Sequence, residues 1–93
     1  MVVGTLELVL VIRGCRSLKE KRSVVKPIKE RIRNKFNVSV AEVDHQDEWQ
    51  RATLGVAMVG TDGQFVNSVL SKVIDHCRMF PGAELVDYEL EMF

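Results

Sequence analysis

Along this chain the spacing of apolar residues passes through six stretches: alternating, helical, alternating, alternating, helical and alternating. That order narrows the choice of fold more than any other feature. Residues 2–12 place Leu6, Leu8, Leu10 and Ile12 on one side and Thr5, Glu7, Val9 and Val11 on the other, the pattern of a strand that buries one face. Ser17 followed three positions later by Glu20 is a capping box and predicts a helix start. From there Leu18, Val25, Ile28, Ile32 and Phe36 form one helical stripe. Pro27 interrupts it, and an interior proline costs about 3 kcal/mol. Because the stripe keeps its phase across Pro27, one helix kinked near Ser23 is expected rather than two pieces. Residues 38–44 and 49–59 read as two strands joined through His45, Gln46, Asp47 and Glu48. Asp62 and Gly63 open a second helix carrying Val66, Val69, Leu70, Val73, Ile74 and Cys77, which stops before Pro81 and Gly82. Residues 84–93 close the chain as a strand with Val86, Tyr88, Leu90 and Met92 on one face. The order βαββαβ predicts a ferredoxin-like α+β sandwich, a four-stranded antiparallel sheet with two helices on one face.

The chain has 93 residues, 46% of them hydrophobic and 28% charged, which excludes a disordered or low-complexity segment and predicts a single domain over residues 1–93. The apolar run at residues 2–12 is interrupted by Thr5 and Glu7 and has no basic segment before it, so neither a signal peptide nor a membrane span is expected. A cytoplasmic protein with no membrane partner follows. Cys15 and Cys77 are far apart, with no Cys-x-x-C and no histidine at ligand spacing, so reduced thiols are expected rather than a disulfide or a zinc site.

A net charge of zero conceals a strong polarity. Residues 1–36 carry ten bases against three acids, and residues 37–93 carry three bases against ten acids. Charge asymmetry of this kind points to an anionic partner. Lys19, Arg22, Lys26, Lys29 and Arg33 follow one another at helical steps and so share one face of the first helix, with Arg31 and Lys35 on its flank and Arg13 and Arg16 near its start. Like charges at these spacings repel, and the phosphate backbone of a nucleic acid is the commonest anion that would relieve them. The plainer account is a solvated basic face that keeps a near-neutral protein soluble, and the scarcity of acids on that face weighs against it. The sheet lacks the aromatic pairs that stack single-stranded bases, since Trp49 stands alone and Tyr88 phases inward. The candidate nucleic-acid contacts are therefore Arg13, Arg16, Lys19, Arg22, Lys26, Lys29 and Arg33, meeting backbone phosphates of a structured RNA.

Other constellations carry less. The turn Arg13-Gly14-Cys15-Arg16-Ser17 could present backbone N–H groups to a phosphate, yet it matches neither a P-loop nor a Cys-x5-Arg loop. An acylphosphatase-like enzyme would also need an asparagine on the third strand, where Glu48 to Thr53 supply none. No catalytic constellation, metal site or cofactor is expected. Asp44, His45, Asp47 and Glu48 read as a solvated acidic turn, and His76 as a surface histidine beside a core thiol. Trp49 is either an exposed anchor for a partner or part of a strand-edge cluster. If the leucine side of the first strand meets the helices, the open face carries Glu7, Val9, Val11, Ala57, Val59, Glu89 and Glu91. A part-apolar surface of that kind predicts a homodimer through the sheet face.

Three blocks of the sequence, Ser17 to Arg22, Asn34 to Asp44 and Asp47 to Gly55, resemble the YlxP-like family of small bacterial proteins of unknown function, and the likeness extends over nearly the whole chain. The resemblance implies a ferredoxin-like fold. Genes of that family often lie among those for transcription termination, translation initiation and ribosome-binding factor A, which implies a role near the ribosome or its RNA. It brings no catalytic residues.

Overall fold

A computed structural model describes residues 1–93. Its elements run β1 (Val2–Val11), α1 (Leu18–Lys35), β2 (Ser39–Asp44), β3 (Arg51–Gly60), α2 (Gly63–Arg78) and β4 (Glu84–Met92). The four strands form one antiparallel sheet in the order β2-β3-β1-β4, so the expected ferredoxin-like α+β fold is present.

Local chemistry sets the helix starts. Ser17 caps α1, its hydroxyl accepting from the Glu20 N–H at 3.1 Å. The reciprocal half of the capping box reaches one residue further back than expected: the Glu20 carboxylate accepts from the Arg16 N–H at 2.7 Å. Asp62 caps α2 by accepting from the Gln64 N–H at 3.1 Å. α1 is one helix that runs through Pro27. Pro27 and Ser23, whose carbonyl the proline leaves without its helical donor, are both exposed, so water can take the freed acceptor.

Leu6, Leu8 and Leu10 of β1 and Leu54 and Val56 of β3 lie under Val25, Ile28 and Ile32 of α1 and Val66, Leu70 and Val73 of α2 in one core. Gly4 permits a close helix approach, since a Cβ there would stand 2.6 Å from Val66 and 2.7 Å from Leu70. Both edge strands carry an irregularity. In β4 the register shifts opposite Val9 and Leu10, so Leu85 rather than Val86 pairs with Leu10 and turns inward, while Val86 is exposed. The face expected for β4 is therefore corrected at its first member. Tyr88 does lie on the helix side, opposite Leu8, but at the sheet margin, where it is half exposed beneath the Arg78 guanidinium. β3 starts at Arg51, two residues later than expected, and leaves Trp49 exposed in the loop.

Candidate nucleic-acid interface

The cations of α1 divide into two kinds. Lys21 is 2% exposed, because it occupies the one position of the buried stripe that no apolar residue fills: Leu18, Lys21, Val25, Ile28 and Ile32 follow at steps of three and four. Its Nζ donates to the His45 carbonyl at 2.6 Å and lies 2.8 Å from Glu42 Oε2, an ion pair outside hydrogen-bond geometry. His45 has a φ of 60°, in the left-handed region, and its Nδ1 shares a 2.7 Å hydrogen bond with the buried Thr53 hydroxyl. The network joins the first turn of α1 to the β2–β3 hairpin beside the register shift after Glu42. Sequence reading misses it.

The other cations of α1 point outward. Lys19, Arg22, Lys26 and Arg33 are exposed and Lys29 is half-buried. Arg22, Lys26, Lys29 and Arg33 line a shallow groove of about 300 Å³ between α1 and β2, with Val25 in its floor and Glu30 and Glu42 at its margin. The protein holds three ion pairs, Arg13–Glu84, Lys21–Glu42 and Arg78–Asp75, so no ridge cation is ion-paired, although Glu30 flanks the groove one turn from Lys26 and Arg33. Arg33 also donates to the Val40 carbonyl at 2.9 Å, which anchors that end of the ridge to β2. Arg16 is exposed in the loop before α1, whereas Arg13 is drawn aside to Glu84 at 2.8 Å across the β1–β4 edge. The ridge proper is thus Lys19, Arg22, Lys26, Lys29 and Arg33.

At the far end of α1, Arg31 lies 5.2 Å over the Phe80 ring and Lys35 lies 5.8 Å from the Phe36 ring. Between these rings sits His76, which is half-buried rather than on the surface as expected, packed edge-on against Phe36 and Phe80. Its Nε2 is buried without a hydrogen-bond partner. Burial, and then the Lys35 and Arg31 charges, hold its pKa below the ordinary value of 6.5.

Elsewhere the backbone and side chains satisfy one another. In the loop before α1 the Arg16 N–H already serves Glu20, and the buried Cys15 thiol donates to the Ser17 carbonyl at 3.3 Å. Asp44 accepts from the His45 N–H at 2.8 Å, and no three His, Cys, Asp or Glu side chains converge as a metal site would require. Burial pushes the Cys77 thiol up to about 11, which keeps it protonated and unreactive near neutral pH.

The opposite side of the sheet is uncovered, as the alternation of β1 anticipates. Thr5, Glu7, Ser39, Ala41, Val43, Gly55, Ala57, Glu89 and Glu91 line a trough of about 670 Å³ there.

The chain is a two-layer α+β protein with a basic helix on one side and an acidic sheet on the other. The family described as Protein of unknown function (DUF503) matches residues 3–90, and the chain belongs to it. It is 38% identical over 92 residues to the Uncharacterized protein YlxP of Bacillus subtilis (strain 168), a match covering 99% of this chain and 100% of that protein. Among solved structures it is similar to the De novo designed protein Foldit4, at TM-score 0.56 and 12% identity over 100% of this chain and 97% of that one. It is also similar to a mutant of SnoaB, a cofactor-independent oxygenase from Streptomyces nogalater, at TM-score 0.55 and 14% identity over 98% and 90% of the two chains. At such identities these two likenesses show the fold alone. No helix is long and apolar enough to cross a membrane.

Proposed function

We propose that this protein is a non-enzymatic, cytoplasmic RNA-binding factor that docks the α1 ridge on backbone phosphates of a structured RNA, such as a ribosomal subunit or its precursor. The observation that carries this reading is the lack of any ion pair on Lys19, Arg22, Lys26, Lys29 or Arg33, although the chain holds as many acids as bases. Like charges repeated at helical spacing cost stability, and phosphates in a row would remove that cost. The ridge presents no aromatic side chain for stacking, so the contact positions the protein without reading bases.

The test is binding of a labelled structured RNA across a salt series, with the parent compared to a variant in which Lys19, Arg22, Lys26 and Lys29 are all changed to Glu and whose fold is checked by circular dichroism. A parent slope of about −0.7 to −0.9 per phosphate in log affinity against log salt, lost in the variant, is the expected result. A parent that fails to bind at low salt overturns the reading.

A second reading, favoured by the uncovered trough, has copies of the chain associating through the open sheet face.

A further inference from the structure

The open sheet face raises the same physical question as the ridge, with the sign reversed. Glu7 stands directly across β1–β4 from Glu89, Thr5 from Glu91, and Val9 from Asp87, so four carboxylates share one side of two adjacent strands. None has a cation within ion-pair distance. Like charges directly opposite each other on a sheet are destabilising. A symmetric face-to-face dimer would bring two such sets together and raise that cost. The occupant this face suits is therefore cationic.

We infer that the occupant is the α1 ridge of a second copy, so that copies associate head to tail. This rests on the second reading above and names its partner surface. The trough is floored by the small residues Ala41 and Ala57, with the Val43 side chain lying over Gly55 at one side, which leaves room for a helix beside Val43. Lysine and arginine stems cover such a floor while their charged heads reach Glu7, Glu89 and Glu91 on the trough wall. In each copy the ridge and the trough lie on opposite sides of the sheet, because the leucine face of β1 packs under α1 while Glu7 faces away. The contact is thus heterologous: every pair leaves one ridge and one trough free. A polyanion on the ridge competes with it, so RNA-bound protein is monomeric.

Sedimentation tests this with two variants whose folding is checked by urea unfolding. One carries Glu7→Gln, Glu89→Gln and Glu91→Gln; the other carries Arg22→Gln, Lys26→Gln and Lys29→Gln. The parent is expected to show a weight-average mass that rises with concentration and falls as salt goes from about 0.1 M to 1 M, where the screening length shortens from about 10 Å to about 3 Å. Each variant alone is expected to associate at least about tenfold more weakly. Mixed in equal amounts they are expected to restore association but stop at a one-to-one pair, since one good ridge meets one good trough. A monomeric parent at low salt overturns the inference. So does a carboxylate variant that pairs more tightly than the parent while the ridge variant pairs as the parent does, the signature of a symmetric face-to-face dimer. Failure of the RNA reading would appear separately, as loss of salt-dependent RNA binding in a parent that still associates.

Discussion

Lys21 and Arg22 are consecutive residues of one helix with the same charge, and the fold treats them in opposite ways. Lys21 turns into the core, with Glu42 and the His45 carbonyl around its ammonium. Arg22 turns to solvent and pairs with nothing. One step of helix, about 100° of rotation, separates a charge that ties the domain together from a charge left available for a partner. A positive charge on this helix therefore says nothing of its role until its place on the buried stripe is known. For that reason the nucleic-acid reading counts the ridge residues and leaves Lys21 out.

Lys21 is the cation of α1 whose removal should cost the fold most. Lys21→Ala strands the Glu42 carboxylate, only 19% exposed, and the His45 carbonyl, and is expected to cost about 3–5 kcal/mol in urea unfolding. Lys21→Met combined with Glu42→Leu keeps volume without a stranded charge and is expected to recover much of that loss, leaving mainly the His45 carbonyl unserved. An unfolding midpoint for Lys21→Ala equal to the parent's would mean that the buried pair holds nothing.

Ser17→Ala tests the start of the same helix, and the loss expected is about 1 kcal/mol by thermal unfolding. The Glu20 carboxylate, which still serves Arg16, keeps the effect from growing larger. Ridge substitutions come next in size. Lys26→Gln and Arg22→Gln remove like-charge neighbours spaced four apart, so each is expected to change stability by less than about 0.5 kcal/mol, with the sign favourable. Adding salt should raise the parent's stability more than that of either variant. A loss near that of Lys21→Ala would place these side chains among the structural ones.

Much of this is readable from sequence. The order of periods is enough for βαββαβ, because a helix stripe and a strand alternation cannot be exchanged without exposing the core. The open face follows from the alternation of β1 alone, since Glu7, Val9 and Val11 must face away from the leucines. Lys21 leaves a trace that is easy to pass over: the stripe jumps from Leu18 to Val25, and the vacant step falls on a lysine. Glu42 leaves another, for it alternates with Val38 and Val40 and so faces inward. What joins the two is tertiary, because nothing local says that the first turn of α1 lies beneath β2. The irregularity in β4 is equally hidden, and it moves the inward position from Val86 to Leu85. His76 escapes for the same kind of reason, since the rings that enclose it come from the end of α1 and the loop after α2.

His76 provides the smallest effect and the finest test of the unpaired cations, because it senses their field. Burial lowers its pKa first, and Lys35 and Arg31 lower it further. In the unfolded chain the imidazole takes a proton near 6.5, while in the folded protein it does so only at lower pH. Stability contributed by the neutral ring is therefore whole above 6.5 and is lost as pH falls from there through the folded pKa. Lys35→Gln and Arg31→Gln together should raise the folded midpoint in an NMR titration yet leave it below 6.5, since the burial contribution remains. The same pair of substitutions should soften the loss of stability on acidification. A midpoint that does not move would mean that solvent screens these two cations from the ring, and that the charges of α1 act only on what touches them.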